Sequence, residues 1–272
     1  MMRQFRSPSR WTWALSALST AIIVACDTSL EGINTQGTWG FITVNAQRTT
    51  SGTVVAGTEA LFFKGTLSAV PNAEFVRDTC ADAPFSEGNN LVGVTYLDAG
   101  PTVTATLGGI PHTLDRTTTS EGLAYRPTSA LTYTPGDSII IDVPGAVGGF
   151  PGGTVRAKTA EAFTFPTEID VPAGTEAIQL SWTPSQDANS AMVVSLRYST
   201  IQNPGILTRN VLCTFVDDGR DSIPFRWHEN WSTSADARAV VATRLRTSYV
   251  GTGDANLGVI STYQVPLPPP NP

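Results

Sequence analysis

Residues 177–182 read AIQLSW, and residues 192–200 read MVVSLRYST. Successive side chains of an extended chain point to opposite faces. Ile178, Leu180 and Trp182 therefore share one side of the first stretch, which asks for a buried sheet. In the second, Val194, Leu196 and Tyr198 oppose Val193, Ser195 and Arg197. A period of two with one apolar face predicts a strand, not a helix.

The same pattern recurs on both sides. WGFITVNA (39–46), GTVVAG (52–57), EALFFKG (59–65), the stretch 73–76, NLVGVTYL (90–97) and PTVTATLGG (101–109) come first. LAYRP (123–127), ALTYTPGDSIIIDVPG (130–145) and TVRAKTAEAFTF (154–165) lead up to the opening pair. NVLCTFV (210–216), which places Val211, Cys213 and Phe215 together, and the stretches 237–249 and 257–265 follow it. In 138–143, Ile139, Ile141 and Val143 share a face, and Pro135-Gly136-Asp137 before them predicts a turn. No run of twelve residues has helical periodicity with capping signals. Phe165-Pro166-Thr167 reads as a seam, because proline cannot donate to a ladder. About seven strands per hundred residues, with turns every eight to twelve, argues sandwich. The expected fold is all-β: two consecutive sandwich domains over 39–165 and 166–265, then a proline-rich tail over 266–272.

AIQLSWTPSQ, followed by a second alternating strand, resembles the B and C strands of fibronectin type III and related immunoglobulin-like sandwiches. The resemblance spans about 25 residues and implies an immunoglobulin-like second domain.

The N-terminal stretch decides location. Arg3, Arg6 and Arg10 precede a short run of apolar and small residues, WTWALSALSTAIIVACD over 11–27. A basic start, a greasy core and a small residue before a cut describe a secretory signal. A membrane span needs about twenty consecutive apolar residues, and Ser16, Ser19 and Thr20 break this run. Ile23-Val24-Ala25-Cys26 resembles the lipobox of bacterial lipoproteins. The resemblance implies that Ile23, Val24 and Ala25 are read by the lipoprotein signal peptidase and that Cys26 carries the lipid. Membrane lipid is then a partner through Cys26, and the protein is held at the cell envelope. Asp27 resembles the enteric signal for inner-membrane retention. Residues 26–38 are expected to form a flexible tether.

Removing residues 1–25 from the 272 takes away three of 17 basic residues and none of 23 acidic ones, so the net charge moves from −6 to −9. An acidic chain without a basic stripe excludes nucleic acid as a partner. Charged residues make up 15% of the chain, against about 25% in ordinary soluble domains; short strands and many turns suit that balance.

Candidate sites are few. His112 and His228 are the two histidines, one in each expected domain, and no zinc-protease or nucleophile-elbow spacing occurs. His112 is expected in a solvated turn. The glycine-rich PGAVGGFPGG (144–153) runs on into Thr154-Val155-Arg156, not Gly-Lys-Ser, so it is expected to be a mobile connection and not a phosphate loop. Asp217-Asp218-Gly219-Arg220-Asp221 predicts a tight turn with Gly219 at positive φ, with an irregular calcium site as the alternative. Arg244 and Arg246 share a face opposite Leu245 and are expected in solvent. Beyond Cys26, Cys80 and Cys213 are either bridged or separate thiols. In RWHENW, Trp227 and Trp231 either close the core or form a sugar-stacking patch with Glu229 or Asn230 on the hydroxyls. The reading overall is a non-enzymatic binding or scaffolding protein without a cofactor or metal, its partner an envelope protein or an envelope glycan, with a hydrolase whose site assembles from distant loops as the remaining alternative.

Overall fold

The structure is a computed structural model that describes residues 36–48, 54–66, 78–84, 93–119, 122–129, 131–166, 168–234 and 237–267. The expected lipobox residues Ile23, Val24, Ala25 and Cys26, with Asp27, lie outside the described residues, as do the stretch 73–76 and the tail 268–272.

The described chain is all-β with one short helix. Its first half holds β1 (Gln36–Arg48), β2 (Val54–Thr66), β3 (Thr79–Pro84), β4 (Thr95–Tyr96), β5 (Thr102–Leu107) and β6 (Ile110–Thr119). Next come β7 (Gly122–Pro127), β8 (Ser138–Val143) and β9 (Gly153–Lys158). Beyond Pro166 follow β10 (Ile178–Ser181), β11 (Ser190–Thr200), β12 (Asn203–Val216), β13 (Arg220–Ile223), α1 (Phe225–Thr233), β14 (Arg238–Thr252) and β15 (Ala255–Leu267). The expected strands 52–57 and 59–65 are one strand, β2, which runs straight through Gly57. β6 is a strand that local reading missed, because Pro111, Asp115 and Arg116 break its apolar alternation. Pro135-Gly136-Asp137 is the expected turn: Asp137 N–H donates to the Thr134 carbonyl at 2.9 Å, and Gly136 sits at φ 97°.

Thirteen strands form one sheet, ordered β3-β12-β11-β14-β15-β1-β2-β7-β6-β5-β8-β9, with β4 beside β2. β10 and β13 pair separately. The first and last strands, β1 and β15, run parallel from Thr38↔Ala255 to Gln47↔Gln264, and every other pair is antiparallel. β3, from the first half of the chain, pairs with β12 of the second. The sheet thus crosses the expected seam at Pro166. Alternation identifies a strand and its buried face but does not choose its neighbour. The expected tether, 26–38, already enters β1 at Gln36, and Pro266 and Leu267 of the expected tail close β15.

One face of the long strands carries two cores in series. Ile42 and Val44 of β1 and Leu257 and Val259 of β15 pack with Phe62, Leu107, Tyr125, Ile139, Ile141 and Phe150. Further along the same face, Tyr263, Val265 and Leu267 meet Trp182, Val194, Leu196, Val211, Phe215, Trp231 and Val240. Ser261 stands between the two, donating to the Val44 carbonyl at 3.2 Å and accepting from Ala160 N–H at 2.8 Å. Those two bonds fix the chain leaving β9 against the sheet. Each fully buried Leu, Ile or Phe contributes about 1.5–3 kcal/mol, so both cores are substantial. The opposite face holds a smaller aromatic cluster of Trp39, Phe41 and Phe63. Phe62 and Phe63, adjacent in sequence, therefore serve opposite faces, as the pleat requires.

Candidate functional site

The helix α1 carries the tryptophan pair. It starts after Pro224, whose ring fixes φ at −58° at the N-cap. His228 and Trp231, three residues apart, turn inward. Trp231 is 0% exposed and lies in the second core, with the Arg238 guanidinium 5.6 Å from its ring centre. Trp227 is half-buried against the same core, under the Arg226 guanidinium. Glu229 and Asn230 are exposed. Of the two readings of the tryptophan pair, closure of the core is the one seen: residues four apart share a helix face, so Trp231 enters the second core and Trp227 packs half-buried beside it, and no two-indole sugar platform is exposed. The helix itself was not legible: at nine residues it is too short for periodicity to declare it.

His228 is also buried. Its Nε2 donates to the Glu176 carbonyl at 3.0 Å, because a carbonyl only accepts. Beyond Glu176 opens a cleft of about 450 Å³ lined by Asp170, Pro172, Glu176, Ala177 and Gln179. That lining offers two carboxylates and an amide. His112, expected in a solvated turn, stands half-buried in β6 opposite Ala105.

Cys80 and Cys213 are bonded, across a sequence separation of 133 residues. They face each other directly in the β3–β12 register. Spacing alone left this open, since only the sheet brings the two positions together.

The DDGRD stretch is the expected tight turn, with Gly219 at φ 104° and Arg220 N–H bonded to Asp218 Oδ1 at 3.3 Å. Its first residue does more. Asp217 is buried and accepts from Arg244 Nε at 2.7 Å, Arg244 Nη2 at 2.9 Å, Trp182 Nε1 at 2.8 Å and Ser190 Oγ at 2.6 Å. Arg244 also donates to the carbonyls of Ala162 and Thr183. Expected in solvent, Arg244 is 1% exposed, a correction with a clear cause. Its face of β14 is the one carrying Val240 and Ala242, and Asp217 neutralises it there. Neighbouring Arg246 is only slightly exposed and pairs with Asp187. With Asp217 so engaged, the alternative of calcium at this turn loses its best ligand. Burial, together with nearby Asp78 and Asp218, holds the Asp221 carboxyl above its ordinary range.

The glycine-rich connection, expected to be mobile, is tied down. Gly145 N–H donates to the Ala99 carbonyl at 2.9 Å, Phe150 N–H to Asp98 at 2.7 Å, and Gly149 N–H to Ala146 at 3.0 Å. Phe150 plugs the first core. A side chain at Gly149 would overlap the Asp98 carbonyl, so close approach explains that glycine. Tyr125 secures the same region: its hydroxyl accepts from Ala99 N–H and donates to the Gly100 carbonyl, both at 2.8 Å. Burial pushes Tyr125 and Tyr133 up to about 12, and Tyr249 higher still. A phenol raised above its unfolded value of about 10 stabilises the fold fully below pH ~10. That contribution is lost as pH climbs from there through about 12. Phenolate absorbance should thus show these tyrosines ionising together with loss of the near-ultraviolet circular dichroism; ionisation in a fully folded protein near pH 10 would refute the assignment.

One more feature is built by register. Among the described residues, the β11–β12 hairpin runs on past both neighbours: the ladder with β14 extends to Tyr198↔Arg238, with Ser199 N–H still donating to the Ala237 carbonyl at 3.0 Å, and the ladder with β3 extends to Arg209↔Pro84. Ile201 (92% exposed) and Ile206 (63%) sit on this projecting arm. No family model matches this chain. A search of curated proteins finds no match either. The arm, the buried Arg244–Asp217 pair and the disulfide are the features that the individual strands do not announce. A signal for the arm is present in hindsight, as two isoleucines flanking Asn203-Pro204-Gly205, a turn sequence that cannot place them in a core.

Proposed function

We propose that this is a lipid-anchored cell-envelope protein whose β-structure serves as a non-catalytic binding or scaffolding module for another envelope protein. The observation that carries the reading is the Cys80–Cys213 bond. Disulfides persist in oxidising, exported compartments and are rare in the reducing cytosol. With those two cysteines joined, Cys26 is the one cysteine of the three left over, and it stands in the lipobox-like position. Two or more acyl chains on it would anchor stably. Within the module, the two cores divide largely at Pro166, which supports two immunoglobulin-like sandwich halves built on a shared sheet. The glycan alternative has lost its second indole to the core.

Expressed from its full sequence in a bacterial host, the protein should fractionate with membranes and carry a diacylglycerol-sized mass increment on the peptide beginning at Cys26. Cys26→Ser should abolish the increment and the processing at residue 25. A membrane-bound, unmodified chain that still retains residues 1–25 would overturn the lipoprotein reading.

A further inference from the structure

We propose that the β11–β12 arm is a membrane-touching probe, its isoleucine tip entering the headgroup boundary of an anionic bilayer. From Ser199 to Thr208 the chain carries no charge, and it exposes Ile201 and Ile206. Val147 and Ile110 are exposed aliphatics as well, but Ile201 and Ile206 stand together on one hairpin. The base of the arm is different in character. Arg209 and Arg238 flank Tyr198 there on one face and Arg197 lies on the other, on a protein whose net charge is −6; Arg238 also covers the Trp231 ring and donates to the Ser232 carbonyl at 3.0 Å. Asp82 pairs with Arg209 at 2.8 Å, and Ser234, the C-cap of α1, donates to the Ser199 carbonyl at 3.2 Å. An apolar tip above a basic collar matches acyl chains below phosphates.

The arm's backbone fits this occupant better than an added strand. Its pairing continues inside the hairpin, at Ser199↔Leu207 and Thr200↔Asn203, with residues 204–206 bulged between the two pairs. Register shifts flank Ser199, and Pro204 lies in β12, both devices that discourage edge-to-edge strand addition. The arm also stands at the opposite end of the long strands from Gln36, where the chain from Cys26 enters, since registers carry it beyond the Gln47↔Gln264 level. The inference shares the membrane location proposed above but does not depend on lipidation.

The test uses residues 36–272, because every described strand and all three cores fall within the compact unit Thr35–Pro272. Flotation with vesicles of phosphatidylcholine and phosphatidylglycerol should carry this unit upward. An Ile201→Ser/Ile206→Ser double variant should lower the bound fraction at least about fivefold, in keeping with two lost apolar contacts. Leu212→Ser, a control at another exposed aliphatic site, should leave binding unchanged. Raised salt should weaken binding, as should phosphatidylcholine alone. No flotation, or flotation equal in the double variant, overturns the proposal. So does capture of the arm by a protein cross-link without vesicle binding. Because the unit lacks Cys26, failure here leaves the lipidation result standing on its own.

Discussion

Replacing Asp217 with alanine should cost the fold about 4 kcal/mol, since removing one partner of a buried ion pair leaves the other charge uncompensated. Arg244 would then face the second core with its guanidinium 5.1 Å from the Phe163 ring centre and no anion beside it. Trp182 Nε1 and Ser190 Oγ would lose their acceptor as well. The pair links three pieces of chain: the turn before β13, strand β14, and the crossover around Ala162 and Thr183. Urea unfolding followed by tryptophan fluorescence would measure the loss, with Trp182 reporting from within the network. A double Asp217→Leu/Arg244→Met variant should recover much of it, because a well-packed apolar pair avoids desolvating two charges. A single-variant loss below about 1 kcal/mol would mean that water reaches the site and the pair is not a structural centre.

Removing the disulfide as Cys80→Ser/Cys213→Ser should lower stability by about 4 kcal/mol, the scale expected when a closed loop of more than a hundred residues is opened. The sequence separation of 133 residues places the bridge in that regime. The local consequence should be sharper. Of the described side chains of β3, Cys80 is buried in the core, while Thr79, Ala81 and Asp82 are exposed. Its other ties include the ladder to β12, the Asp82–Arg209 pair and the Tyr198 hydroxyl donating to Asp82 at 3.5 Å. Hydrogen exchange should therefore accelerate first at Thr79–Pro84 and along the facing edge of β12, before the centre of the sheet responds. Uniform acceleration throughout the sheet would show that the bridge acts on the whole fold and not on this edge.

The fate of particular residues separates local from global information. Ile178, Leu180 and Trp182 are buried together, and so are Val194, Leu196 and Tyr198. Ile139, Ile141 and Val143 behave in the same way. In each case the pattern needed only the pleat and the preference of apolar groups for a dry face. Arg244 was misjudged by the same rule, because an arginine on an apolar face is read as solvent-facing unless its counter-ion is known. Asp217 lies 27 positions away and becomes its partner only when the sheet closes. Trp231 was open to two readings, core closure or a sugar-facing surface, and the turn of α1 decides for the core.

By itself, then, the sequence determined an all-β protein, the positions and inward faces of most strands, and the turns at Pro135-Gly136-Asp137 and Asp217–Asp221. Those properties depend on backbone stereochemistry and solvent preference within a few residues. Tertiary structure alone decided that β1 lies parallel to β15 across the expected seam, that Cys80 meets Cys213, that Arg244 is buried on Asp217, and that the β11–β12 hairpin outreaches its neighbours. Each of these is a pairing between segments remote in the chain. Strand ladders offer the same backbone groups to every candidate neighbour, so the choice rests on how all the apolar faces can be buried at once.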